Sequence, residues 1–190
     1  MKLLRDRILR DGKCLEGGIL KVDNFINHQM DPLLMKAMAD EFVKRFAGDK
    51  IEKIITIEAS GIAPAIMVGY LLNLPVVFAK KKVPSTMDKC LRTKVHSFTK
   101  NREYDICISS EYIGKGERVL FIDDFLANGC ALQGLISIVE DAEAEVVGCG
   151  VVIEKSFQEG ADRIRNLGYR LESLCAVHQL NPATGEIVFR

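Results

Sequence analysis

The sequence predicts an α/β fold, a mainly parallel, doubly wound sheet with helices on both faces. Three observations predict it. Short apolar runs at 53–57, 74–79, 119–122 and 145–153 suit strands buried on both faces. Segments with helical apolar spacing lie between them, at 62–72, 130–142 and 159–167, and strands alternating with such helices build parallel sheets. Each apolar run also stops at small, polar or charged residues, which suits a sheet that holds a ligand outside the carboxyl ends of its strands.

The elements follow in order. Residues 2–10 place Leu3, Leu4, Arg7 and Ile8 at helical spacing, with Gly12 as the stop. Residues 17–28 read as extended chain, and their apolar content makes them an arm that packs on the core, on a second subunit or over a ligand. Asp31 as N-cap and Pro32 at the first helical position start a helix over 33–47 that Gly48 closes. Residues 53–57 form a core strand, followed by Glu58, Ala59, Ser60 and Gly61 and then by the helix 62–72, where Pro64 falls in the tolerated first turn.

The strand 74–79 ends in Lys80, Lys81 and Lys82. Residues 83–103 lose hydrophobic continuity, yet 94–98 and 104–109 can pair as an antiparallel hairpin projecting over a site. The strand 119–122 runs into Asp123 and Asp124, read as a turn, and then into Ala127, Asn128 and Gly129 before the helix 130–142. Strand 145–153 ends in Glu154, Lys155 and Ser156. Helix 159–167 stops at Gly168, strand 169–177 follows, and a terminal turn with a short strand completes the chain.

At 190 residues and 48% hydrophobic, the chain can bury one full core, so residues 1–190 are read as a single domain. Lys plus Arg and Asp plus Glu both number 26, which leaves no global field to draw the protein to nucleic acid or to an acidic membrane. No apolar run reaches the roughly 18 residues of a membrane span. The six cysteines form no CxxC pair and follow no secretory leader, so a reducing cytoplasm is expected, without structural zinc or disulfides.

If the strands are parallel, one edge collects Glu58, Ser60 and Gly61, then Lys80 and Lys81, then Asp123 and Asp124, and finally Lys155. A substrate with phosphate at one end and diphosphate at the other accounts for these clusters together. The loop 127–131 offers backbone N–H groups at a helix start for the phosphate. Two carboxylates beside it would repel the phosphate unless they hold sugar hydroxyls or a magnesium ion. Neither a Walker A motif nor GxGxxG is present, against a nucleoside triphosphatase or a dinucleotide oxidoreductase. His28, His96 and His178 have no triad-like setting. A salt bridge to Glu154 is the alternative use for Lys155.

The run VLFIDDFLANGCA at 119–131 resembles the phosphoribosyl-diphosphate motif of the type I phosphoribosyltransferases, departing from its hydroxyl-rich loop at Ala127, Asn128, Gly129, Cys130 and Ala131. With LKVDNFINHQMDP at 20–32, IEASGIAPA at 57–65, SFTK at 97–100 and IEKSFQ at 153–158, the resemblance covers nearly the whole chain and points to the bacterial, xanthine-using branch of the family. It implies transfer of ribose 5-phosphate from phosphoribosyl diphosphate (PRPP) to N9 of xanthine in purine salvage, by a cytoplasmic homodimer with Mg²⁺ carried on the diphosphate and no protein ligand assigned to it. It further implies a base-covering hood at about 14–30, completed by the C-terminus, and a flexible hairpin lid at about 80–110.

By matching positions, Ala127, Asn128, Gly129, Cys130 and Ala131 take the 5-phosphate, and Asp123 and Asp124 the ribose hydroxyls, as catalytic groups. Ser60 and Gly61 take the diphosphate, where the strand-end lysines Lys80 and Lys81 would also lie, and Leu20, Asn27 and Lys155 take the base. A related transferase for guanine, hypoxanthine or adenine is the first alternative. A purine-responsive transcriptional regulator is the second, though the first core helix begins at Asp31 and leaves too little chain before it for a winged helix.

Overall fold

The computed structural model describes residues 1–82, 89–97 and 102–190. The chain forms ten strands and five α-helices among these residues: α1 (Lys2–Asp11), β1 (Lys13–Leu15), β2 (Ile19–Lys21), α2 (Pro32–Arg45), β3 (Lys53–Ile57), α3 (Ile62–Leu72), β4 (Val76–Ala79), β5 (Cys90–Ser97), β6 (Arg102–Ser109), β7 (Arg118–Leu126), α4 (Cys130–Asp141), β8 (Glu145–Lys155), α5 (Gly160–Asn166), β9 (Leu171–Asn181) and β10 (Glu186–Phe189). Six strands make the central sheet in the order β10-β9-β8-β7-β3-β4, parallel throughout except for β10.

Period-two alternation explains the apolar runs. Ile54, Leu120 and Ile122 face a core shared with α1, α2 and α3, while Ile55, Phe121 and Val151 face a second core under α4 and α5. Both faces are covered, so the strands carry few polar residues. The Asp31 carboxylate accepts from the backbone N–H of Leu33 and of Leu34, both at 3.1 Å, and so starts α2 as the Asp-Pro pair predicts. The chain moves from β3 outward to β4, then returns to the other side of β3 with β7 and continues through β8 and β9. Strand order therefore reverses between β3 and β7, where a crevice opens at the carboxyl ends.

Three local expectations change. Residues 17–28 are not one extended arm. They form the β1–β2 hairpin and then a π-helical turn over Asp23–Asn27, because Phe25 and Ile26 are fully buried and a helical turn brings both to the core. Asp123 and Asp124 do not lie in a turn: β7 runs to Leu126 because β8 extends to Lys155 and keeps pairing with it, Asp123 opposite Val151 and Leu126 opposite Glu154. The last long strand likewise continues to Asn181, since β10 folds back on it.

The hairpin expected at 94–98 and 104–109 is present between residues 90–97 and 102–109, starting earlier than expected with Cys90 opposite Ser109. Its expected tip, with Phe98, Thr99 and Lys100 of the SFTK motif, and residues 83–88 lie outside the described residues.

The loop between β7 and α4 is held from behind by backbone. Gly129 is left-handed, at φ +79°, and stands against Gly160 at the start of α5. The Gly160 N–H donates to the Ala127 carbonyl at 3.1 Å. A Cβ on Gly160 would overlap that carbonyl oxygen and come within 2.8 Å of the Gly129 nitrogen, so nothing larger than glycine fits. Gly160→Ala should therefore cost about 1–3 kcal/mol of overpacking. Urea unfolding should show a lower midpoint with an unchanged slope, and an unchanged midpoint would mean that the loop yields freely.

Candidate active site

The β7 strand delivers the acids on alternate faces: Asp123 is 8% exposed, and Asp124 is half-buried. Asp123 Oδ1 accepts the Asp124 N–H at 3.0 Å. Gly61, at the start of α3, packs so closely on Asp123 that a Cβ there would collide with the carboxylate and with the Thr56 hydroxyl. This contact joins the β3 turn to the β7 acids across the switch point. Burial pushes the Asp123 carboxyl well above the usual carboxylate range, and the charge and hydrogen bond of Asp124 push it further.

A cleft of about 150 Å³ lies beside the acid pair, lined by Asp123, Phe125 and residues 126–132 of the loop and helix start. The 12-residue α4 begins there at Cys130, with Gly129 as its N-cap. Its first backbone N–H groups and its dipole favour an anion at this place. His96 and Tyr104, from the β5–β6 hairpin, form the opposite wall. Burial raises the Tyr104 hydroxyl above its ordinary pKa, reinforced by Asp123 and Cys130, so it stands over the loop as a neutral phenol.

Ser60 and Gly61 follow β3, and Lys80 and Lys81 follow β4. The peptide between Glu58 and Ala59 is cis. The Glu58 carboxylate accepts the Lys81 N–H at 2.6 Å, and the Lys80 backbone pairs with Cys107 of the hairpin. The lysine run thus has a fixed backbone and outward side chains, and the Lys81 charge reaches the Asp123 carboxyl.

Lys155 ends β8, next to β7. Its ammonium donates to the Gly18 carbonyl at 2.9 Å and sits 5.7 Å from the centre of the Phe125 ring. Burial lowers its pKa from the ordinary lysine value. It does not pair with Glu154. That carboxylate is buried, and it accepts from Arg165 at 3.1 Å and from the Ser173 hydroxyl at 2.5 Å. The β1–β2 turn therefore meets β8 through Gly18, whose own Cα faces the Phe157 ring.

Leu20 is 5% exposed and packs in the core below this turn. Asn27, at the end of the π-helical turn, has a buried Oδ1 with no hydrogen-bond partner. Such an orphaned acceptor is costly unless a ligand supplies a donor.

The structure thus brings Asp123 and residues 127–131 to one cleft, packs Gly61 on Asp123, and ties Lys155 to the β1–β2 turn. The Lys155 hydrogen bond runs to Gly18, not to Asn27. Sequence reasoning missed Gly18, Tyr104, Phe125 and Gly160. Of these only Phe125, adjacent to the acid pair, carries a sequence signal; the others act through contacts distant in the chain. Among the described residues no cluster of three or more His, Cys, Asp or Glu side chains forms a metal site, and no helix is long and apolar enough to cross a membrane. All six cysteines are free.

The family model described as "Phosphoribosyl transferase domain" matches residues 25–173. A xanthine phosphoribosyltransferase of Finegoldia magna is 53% identical over 178 residues, which is 93% of this chain and 94% of that one. A xanthine phosphoribosyltransferase of Moorella thermoacetica is 50% identical over all 190 residues and 96% of its own length. Among solved structures, the adenine phosphoribosyltransferase of Rhodothermus marinus superposes with a TM-score of 0.77 at 21% identity, covering 93% of this chain and 99% of that one. The adenine phosphoribosyltransferase of Saccharomyces cerevisiae gives 0.75 at 21% identity, with 92% and 99% covered; at such identities the likeness is one of fold. On the extent of the family match and of these relatives, the chain belongs to the phosphoribosyltransferase family.

Proposed function

We propose that this chain transfers the 5-phosphoribosyl group of PRPP to N9 of xanthine, releasing diphosphate and forming xanthosine 5'-monophosphate in purine salvage. The observation that carries the reading is the opening of Asp123 and of the loop at 127–131, at the start of α4, into one cleft at the carboxyl end of β7. The relatives at 50% and 53% identity support xanthine as the base.

The roles follow from chemistry. Backbone N–H groups of residues 127–131 and the Asn128 amide hold the 5-phosphate. Asp123 and Asp124 hold the ribose hydroxyls. Ser60, Gly61, Lys80 and Lys81 hold the diphosphate. The C1–O bond to diphosphate breaks as the bond from N9 forms, N9 gives up its proton, and positive charge builds on the ribose ring, where the carboxylates stabilise it. Mg²⁺ fits this site as a passenger of the diphosphate: it binds through substrate phosphates with one or two carboxylates rather than an all-protein cage, and it would neutralise the departing group.

For the base, a Lys155 ammonium donates to a purine carbonyl and repels an exocyclic amine, which selects oxopurines over adenine. Asn27 keeps a buried Oδ1 without a partner, which a purine N–H could satisfy, while its amide N–H groups could donate to a second purine oxygen. A homodimer is part of the reading. Ile66 and Tyr70 on α3, 50% and 78% exposed, with Phe78 on edge strand β4, offer an apolar surface for a second copy. A cytoplasmic site accords with six unpaired cysteines. The deciding experiment measures diphosphate release with Mg²⁺, PRPP and each purine in turn. Xanthine should be turned over fastest, and preference for adenine would overturn the reading.

Asp124→Asn should lower kcat about a hundredfold with a much smaller effect on nucleotide affinity, since the charge matters most in the transition state. Steady-state kinetics beside nucleotide titration would separate the two.

Lys155→Ala should raise KM for xanthine about tenfold and leave KM for PRPP nearly unchanged. Equal changes would mark a structural lysine.

Asp123→Asn should stabilise the protein while impairing it. The raised pKa means that the folded state binds more protons than the unfolded chain above pH 3.8, so the native carboxyl costs stability as pH rises through that window. Urea midpoints of variant and parent should nearly coincide below pH 4 and diverge in favour of the variant at pH 7.5.

A further inference from the structure

The loop at 127–131 contains no cation and, with Ala127 and Ala131 at its ends, no side-chain hydroxyl. Backbone N–H groups and Asn128 are its own donors. It also stands directly after two carboxylates. A phosphate dianion in that position calls for a positive charge from elsewhere in the fold, because partial charges at a helix start offset only about half a charge.

The lysines that end the neighbouring strands are engaged or distant. Lys155 donates to Gly18 and lies over Phe125 on the base side. Lys80 and Lys81 end β4, which is separated from β7 by β3.

Arg163 is placed differently. It lies one turn into α5, whose first residue, Gly160, is locked to the phosphate loop by the hydrogen bond to Ala127 and the contact with Gly129. One guanidinium nitrogen of Arg163 reaches the Cys130 Sγ at 3.6 Å, inside the loop itself. Its charge partner Glu159 is 3.6 Å away and 88% exposed, a contact that contributes little. A thiol is a weak acceptor, and a guanidinium has five N–H donors. The side chain is two-thirds covered, held at the loop, and largely unspent as a donor.

We propose that Arg163 binds the 5-phosphate of PRPP, supplying from α5 the charge that the loop lacks. The inference rests on the phosphoribosyl-transfer reading of the crevice and adds a residue to it. Arginine suits the task because its planar fork can meet two phosphate oxygens at once. Phosphate binding would draw the guanidinium from the Cys130 thiol and the exposed Glu159 carboxylate by rotation of the side chain alone.

The test compares the parent with Arg163→Gln and Arg163→Lys, using ribose 5-phosphate and inorganic diphosphate as separate inhibitors. Arg163→Gln should weaken ribose 5-phosphate about tenfold, the size of one charge-assisted hydrogen bond, and raise KM for PRPP similarly. Inhibition by diphosphate and KM for xanthine should stay within about twofold, and Arg163→Lys should recover part of the loss. Unchanged ribose 5-phosphate affinity, or equal weakening of both inhibitors, would overturn the proposal. Calorimetric titration of ribose 5-phosphate into parent and variant reads the same contact without turnover. A parent enzyme inactive on every purine would refute the functional reading, while the titration would still decide for or against Arg163.

Discussion

The parallel pairing of β7 with β8 carries the rest of the site. The two strands stay in register from Leu120 opposite Gly148 to Leu126 opposite Glu154. Because that ladder continues past the acid pair, Asp123, the phosphate loop and Lys155 are fixed relative to one another by main-chain hydrogen bonds rather than by loop packing. Neighbouring strands lie about 4.8 Å apart, so the groups expected to meet the ribose and the base cannot drift independently. The β3–β7 pairing, by contrast, stops at Ile55 opposite Phe121, and the two strands part to open the crevice. One ladder holds while its neighbour ends, and that difference makes room for a ligand without loosening the acids.

Electrostatics at this place oppose stability. Burying the Asp123 carboxyl next to Asp124 and against Gly61 is unfavourable by itself. The fold tolerates it because the surrounding sheet is apolar on both faces and closely filled, with Ile54, Ile55, Leu120, Phe121 and Ile122 all at 1% exposure or less. The same holds on the base side, where the Lys155 ammonium is partly desolvated and Asn27 keeps an unpaired acceptor. Unfavourable groups gather at the carboxyl edge, and favourable burial lies below it.

Most of the architecture is legible in the sequence, because a sheet buried on both faces leaves continuous apolar runs and its helices leave a 3.6-residue spacing. Ile54 to Ile57 and Val119 to Ile122 announce their strands in this way. What the sequence conceals are matters of pairing. Nothing local reveals that β7 extends through two carboxylates, since strand continuation depends on the length of β8. Nothing near Gly17 or Gly18 reveals that the turn meets Lys155, more than a hundred residues later. The π-helical turn at 23–27 is hidden because Asp23 and Asn24 resemble loop chemistry, while the burial of Phe25 and Ile26 that shapes it comes from the tertiary core. Candidate side chains at strand ends are readable; the groups that steer them are not.

The contact between Gly129 and Gly160 also bears on how the sequence can change. The two main chains touch with no intervening side chain, and each glycine occupies the volume that a substituent on the other would need. A mutation at either position is therefore not rescued by shrinking its neighbour, which is already as small as a residue can be. Relief must come from moving α5 as a whole, and Ala161 and Ile164 anchor that helix in the core. The loop at 127–131 carries small or variable-sized side chains at Ala127, Cys130 and Ala131, yet the backbone path behind it is closed to gradual variation. Diversity in this loop can accumulate in its side chains, while its backbone contact with Gly160 is held to a single solution.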